Sequence, residues 1–193
     1  IAAVAIGTRL GDSDTPCSGA RTHLEQAWGE ARRQQVQDAI VGIGKTYAQR
    51  VASQTQDALD RYADEWAARH EDACEATTVR GEQSAAVMDL RMSCLQRASV
   101  RLDAVTARLA QADADVVQHA HQLTGGLPPL SRCADIESLQ ADVEPPLANQ
   151  RERVEAVRAH LAAAEASTQA GDYQAAQEAV DAAAIAADDV DYG

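Results

Sequence analysis

His70 and Cys74 stand four residues apart, a spacing that turns both side chains to one face of a helix, where an imidazole and a thiolate can share a metal ion. A closed zinc site needs four ligands, however, and no second pair has metal spacing; Cys94 would have to arrive from another segment. No metal ligand set and no cofactor are therefore assigned. His119 and His121 are two apart, point to opposite sides of a helix and read as solvated. Nucleophilic chemistry is as poorly supplied. There is no G-x-S-x-G, and the glycines of "TGGLPPL" at 124–130 run into prolines instead of the Lys-Ser/Thr of a phosphate loop. Carboxylates are abundant, but none forms an isolated pair in an apolar setting. The chain reads as having no catalytic residues, and so as no enzyme in itself.

The polar stretch "CEATTVRGEQSAAVMDLRMSC", from Cys74 to Cys94, is the part best equipped to meet a ligand or partner. Arg80, Glu82, Gln83, Asp89 and Arg91 supply donors and acceptors around Gly81, a residue suited to a turn. Two uses are open to them: presentation to a ligand, or satisfaction of the loop's own backbone groups. The cysteines at 17, 74, 94 and 133 are even in number and form no C-x-x-C. Disulfides and buried thiols both fit, and four cysteines permit three pairings.

Long helices must position these groups. Tyr47, Val51, Thr55, Leu59, Tyr62, Trp66, His70, Cys74 and Thr77 recur at steps of three and four, and Cys94, Ala98, Leu102, Val105, Leu109 and Ala112 repeat the pattern. Two amphipathic helices joined by one loop predict a long antiparallel hairpin within an all-α fold. The abundance of alanine, the 3% of aromatic residues and the absence of Phe agree with closely packed helices. Shorter helices flank the hairpin: a broken one over 20–43, one around Val116–Leu123 stopped by "TGGLPPL", and one carrying Ile136 and Leu139 before "EPP" at 144–146. From about Leu147 the small residues Ala164, Ala176 and Ala183, with Gly171-Asp172-Tyr173 at a turn, predict two antiparallel helices like a tetratricopeptide unit, with Tyr173 packed near Ala164 or Ala176. The early Trp and closing Pro of that repeat are missing. The organisation expected is thus 1–10, 11–146 and 147–193.

Charge narrows the partners. Seventeen Lys and Arg against thirty Asp and Glu give a net charge of −13, and no basic cluster offers a nucleic-acid face. "IAAVAIGTRL" opens the chain with apolar Ile1, Val4 and Ile6. It is shorter than the ~20 residues a membrane span needs, and reads either as the last turns of such a span or as a buried helix start.

Several words of the sequence belong together: "CSG" at Cys17–Gly19, Trp28-x-x-x-Arg32, "DACEAT" at Asp72–Thr77, "DLRMSCL" at Asp89–Leu95 and "LSRCAD" at Leu130–Asp135. They resemble the extracytoplasmic region of bacterial membrane-anchored serine/threonine protein kinases with C-terminal tetratricopeptide repeats. The resemblance spans about residues 1–190, and its most specific words lie at 62–95 and 127–135. It implies a kinase domain upstream, Ile1–Leu10 as the end of a membrane helix (the chain's only link to the membrane), and an oxidising, periplasmic setting that favours disulfides. It carries over no catalytic residue and names no ligand.

With the cysteines oxidised, the expected bridges are Cys74–Cys94 and Cys17–Cys133. The first demands Cα atoms within about 7 Å, which is reached only if much of 77–88 is not regular helix, with Ser84 or Asp89 capping a later start. The function expected is a sensor or interaction region for a protein, a peptide or a small ligand, with homo-oligomerisation left open. The alternative is a structural spacer or dimerisation stalk carrying a repeat array.

Overall fold

The computed structural model describes residues 17–141 and 146–188; the opening segment Ile1–Leu10 lies outside them. The chain is all-α, with no strand among the described residues. After a 3-10 turn at Ala20–Leu24 come α1 (Glu25–Trp28) and α2 (Glu30–Gly42), then two long helices, α3 (Ala48–Thr78) and α4 (Ala85–Leu109). The short α5 (Ala114–Gln118) and α6 (Ala120–Gly125) lead to a second 3-10 turn at Leu130–Ala134 and to α7 (Ile136–Gln140). Finally, α8 (Arg151–Gln169) and α9 (Tyr173–Ala187) pack against each other.

Near their connection α3 and α4 run antiparallel: Asp72 meets Arg91, and the indole of Trp66 donates to the Leu95 carbonyl at 2.8 Å. Farther from the turn, the α1–α2 arm is shared between them. Trp28 and Arg33 bond to Asp60 of α3, while the Ala27 carbonyl accepts the hydroxyl of Thr106 on α4 at 2.7 Å. The buried face of α3 is built from Ala48, Ala52, Thr55, Leu59, Ala63 and Trp66. Thr55, Leu59 and Trp66 belong to the predicted stripe, but Tyr47, Val51 and Tyr62 flank the core and alanines fill its centre. Small side chains there let helix backbones approach closely, so the large residues wrap the contact. On α4, Leu95, Ala98, Leu102, Val105 and Leu109 are buried, nearly as the period predicts.

The turn between α3 and α4 is short. Gly81 takes φ +64°, a left-handed conformation that costs glycine little, and the Glu82 amide closes back onto the Ala76 carbonyl at 2.8 Å. Ser84 then caps α4 by accepting the Val87 amide at 3.3 Å. Because α3 stays helical to Thr78, Cys74 sits one turn below its end while Cys94 lies nine residues into α4. At ~1.5 Å of rise per residue the two differ in height by about 7 to 8 Å. The expected pairing is therefore corrected: Cys17 bonds Cys74 and Cys94 bonds Cys133, with Cα separations of 5.5 and 5.4 Å.

The C-terminal pair meets at Gly171 and Asp172 as predicted, and Asp172 caps α9 through the Ala175 amide. Tyr173, however, is 73% exposed, which corrects its expected packing and removes the support it would have given the tetratricopeptide reading. The buried residues of α9 are Ala176 and Ala183, and those of α8 include Ala162, Ala164 and Ala166; the phenol at the first position of α9 is not among them. Ala166 and Ala170 join the same core as α3 and α4, and Arg108 of α4 pairs with Asp172 at 2.8 Å.

Candidate functional site

Of the five side chains expected to present themselves around Gly81, three turn back onto the protein. Arg91 is 5% exposed. Its guanidinium reaches Asp72 at 2.6 Å, the Gln83 side-chain oxygen at 3.0 Å and the Cys133 carbonyl at 3.3 Å. Gln83 in turn donates to the Ala73 carbonyl and the Thr77 hydroxyl, tying the turn to the last helical carbonyls of α3. Arg80 joins Asp72, Glu75 and Glu82. Asp72 thus receives two guanidinium groups, one on each oxygen. Its carboxyl is held below the usual range, first by the hydrogen bond from Arg91, against a smaller opposing effect of burial. Arg80, Gln83 and Arg91 serve the loop's own polar groups, and Glu82 is engaged by Arg80. Asp89 is exposed and faces a separate groove.

That groove, of about 1060 Å³, runs between the α3–α4 tip and the start of α8, with Trp66, Leu90 and Met92 among its lining residues and Asp89 and Arg151 at charged positions. His23 and His70 also line it, with ring centroids 5.0 Å apart, and His70 stacks on Trp66 at 5.1 Å. Burial first, and the charge of His23 second, lower the His70 pKa below 6.5. His70 does not join Cys74 in a metal site, since that sulfur is bonded to Cys17. Among the described residues no group of three or more His, Cys, Asp or Glu could hold a metal ion.

The more enclosed cavity lies beside the second disulfide. It holds about 430 Å³ and is built by four separate parts of the chain. Cys94, Arg97, Ala98 and Arg101 lie along one side of α4; Gly126, Pro128 and Pro129 form the turn; Arg132, Cys133, Asp135, Ser138 and Leu139 close the opposite wall; Glu165 comes from α8. Helical spacing explains the first wall, because 94, 97, 98 and 101 fall on one face. The prolines hold the second wall extended, and Tyr62 fixes it by donating its hydroxyl to the Pro128 carbonyl at 3.0 Å. Burial, with Glu65 second, keeps that phenol protonated far above its ordinary range.

Three arginines and two carboxylates line this cleft. Glu165 pairs with Arg101, which also donates to the Ala162 carbonyl at 3.4 Å. Asp135 caps α7, accepting the Ser138 amide at 3.2 Å and its hydroxyl at 2.8 Å, and the hydroxyl contact is the main cause of its lowered pKa. Sequence reasoning missed the cleft. The signal was available in part: Arg97 and Arg101 one helical turn apart beyond Cys94, and Arg132 next to Cys133.

Two disulfides are the kind of cross-link kept in oxidising, extracellular-type surroundings. No helix among the described residues is long and apolar enough to cross a membrane. Compared with family models, with curated proteins and with solved structures, the chain gives no match in any of the three.

Proposed function

We propose that this chain is the extracytoplasmic sensor or interaction region of a membrane-anchored bacterial serine/threonine protein kinase, non-catalytic in itself. The observation that carries the proposal is a pair of cross-links: Cys94–Cys133 joins two walls of a preformed cleft, and Cys17–Cys74 ties the first described residue to the α3–α4 tip. Disulfides support an oxidising, periplasmic side of the membrane. The words that resemble the kinase family also meet in space, which supports reading them as one unit: Arg91, from one of them, donates to Asp72 and to the Cys133 carbonyl of two others. A sensor of this kind passes a signal only if its ligand or protein partner binds two conformations with different affinity.

The parent protein provides the test. A kinase domain and a membrane span ahead of Ile1, with all four cysteines oxidised when thiols are trapped in intact cells, is the expected result. A parent chain lacking both segments, or four reduced cysteines in cells, overturns the proposal. A spacer or dimerisation stalk is the second reading, favoured by one observation: Tyr173 and Val180, seven residues apart on α9, are both exposed. Sedimentation showing a dimer that Tyr173→Ser with Val180→Ser dissociates would select it.

A further inference from the structure

We infer that the outer face of the α8–α9 pair is a docking surface for a partner helix that is apolar along one stripe and cationic along its flank. It gives the proposed interaction region a partner and rests on that reading only for its biological meaning. The first ground is exposed apolar surface. Four of the seven large apolar side chains exposed among the described residues, Leu161, Tyr173, Val180 and Ile185, lie on α8 and α9, each at 44% or more, so this surface is concentrated on one helix pair. The second ground is direction. Ala159 and Ala163 of α8 and Ala175 of α9 border a cleft against α4. Leu161 is two residues from each of the first two, and Tyr173 is two from Ala175. That is ~160° around the helix, so both face away from α4. Val180 follows Tyr173 by seven residues, on the same side.

Counted from the turn, Leu161 is eight residues back from the end of α8 and Val180 seven residues on from the start of α9, so the two stand at nearly the same height. Two helices with apolar residues on one side leave a groove that an amphipathic third helix fills. Charge, the third ground, chooses the occupant. Between Tyr173 and Asp188 the chain has Glu178, Asp181 and Asp188 but no Lys or Arg. Glu178 and Asp181 accept from Gln174 and Gln177 of the same helix, neutral donors that leave both charges in place. Asp181 and Asp188, seven residues apart, form an acidic row along one flank of the stripe. A second copy offers the same acidic α9 and adds the repulsion between two chains of net −13. A helix with Lys or Arg at two-turn spacing is instead attracted to that row while its apolar stripe covers Leu161 and Val180.

The experiment is an amide-resonance titration of the 193-residue chain with a synthetic peptide of about 16 residues, long enough to span the ~22 Å of α9. The peptide has Leu along one helical face and Lys at two-turn spacing on its flank. Two controls accompany it, one with the same composition but its leucines scattered round the helix, the other with Glu for every Lys. Saturable shifts at α8 and α9 are expected from the first peptide, with binding about tenfold weaker for either control. Val180→Glu should weaken binding about tenfold with an unchanged melting temperature, although its added negative charge would strengthen attraction by charge alone. Tyr173→Glu, at the exposed first position of α9, should do the same. Val79→Glu, the same change at an exposed valine outside the face, should not weaken binding. Asp181→Asn with Asp188→Asn should weaken it severalfold and lower its dependence on salt. No saturable shift, a control peptide binding as tightly, an equal loss in Val79→Glu, or unaltered affinity in the face variants overturns the inference. So does a dimer in sedimentation that Tyr173→Ser with Val180→Ser dissociates, because a second copy then covers the face. The peptide failures would leave the sensor proposal standing, since the parent chain and its thiols decide it; the dimer would select the spacer reading.

Discussion

Replacing Asp72 by Ala should destabilise the chain more than removing its buried partner Arg91. Arg91 has a side chain 6% exposed, whereas Asp72 is 47% exposed. Asp72→Ala leaves a buried cation with only the Gln83 oxygen and the Cys133 carbonyl as acceptors, and takes one carboxylate from Arg80. Removing one partner of a fully buried pair costs about 3 to 5 kcal/mol. Water at the half-exposed carboxylate reduces that, and about 2 to 3 kcal/mol is expected here. Arg91→Met leaves Asp72 facing water and Arg80. Its cost is two neutral acceptors left without a donor, offset by the apolar methionine, or about 1 to 2 kcal/mol.

Urea unfolding followed by far-UV circular dichroism measures both, with an unchanged m-value as the condition for comparing them. The double variant Asp72→Asn with Arg91→Met should cost less than the sum of its two singles. A pH arm adds an independent readout. Asp72 has a folded pKa depressed below 3.8, so its contribution is complete above the unfolded value and disappears as pH falls through the folded one. Asp72→Asn should remove that acid limb. An Asp72→Ala cost under about 0.5 kcal/mol, typical of an exposed pair, or strict additivity in the double variant, would refute the assignment of Asp72 as the hub of the turn.

Opening either disulfide should cost about 4 kcal/mol by the chain-entropy estimate, for separations of 57 and 39 residues. The two loops follow one another in sequence without overlapping, so melting scans of Cys17→Ala/Cys74→Ala, Cys94→Ala/Cys133→Ala and the fourfold variant should show near-additive losses. Gly29→Ala should destabilise by about 1 to 3 kcal/mol, as overpacking does, because a Cβ there runs into the Glu25 carbonyl; Gly126→Ala meets only the movable end of the Gln169 side chain and should cost less. His70 is held neutral with a pKa below 6.5, so the unfolded chain binds the proton first and stability should fall as pH drops through 6.5, with little change above it. Thermal melts between pH 7.5 and 5 check this, and His70→Gln should flatten the slope.

The helices and their turn were legible because both have local causes. The period of 94, 98, 102, 105 and 109 runs along the buried side of α4, with Leu95 buried where Cys94 was expected, and Gly81 followed by Ser84 marks where one helix ends and the next begins. Cysteine pairing has no such cause. It depends on how far α3 continues before the turn and how soon α4 begins after it: residues 77–78 and 85–88 are helical, and they leave Cys74 and Cys94 at different heights. Tyr173 misled for a related reason: its neighbours in sequence are small, but which side of α9 meets α8 is set by alanines on both helices. The cleft was hidden because its walls are distant in sequence. "LPPL" reads locally as a stop signal, and long-range bonds, Cys94 to Cys133 and Tyr62 to the Pro128 carbonyl, bring it opposite Arg97 and Arg101.

The two disulfides are the ends of one connected series of bonds. From Cys17 the chain is joined covalently to Cys74; two residues earlier on α3, Asp72 bonds Arg91; Arg91 holds the Cys133 carbonyl; and Cys133 is a wall of the cleft. Every connection in that series is a disulfide, a backbone step or a charge-assisted hydrogen bond, and none is a flexible loop. Contiguity alone does not make coupling, which requires an element with two arrangements that both ends bias. The Asp72–Arg91 pair is open to water on its Asp72 side. Gln83 provides a second connection, since it accepts from Arg91 and donates to the Ala73 carbonyl and the Thr77 hydroxyl, so the end of α3 is tied to Arg91 twice and neither tie alone carries the series.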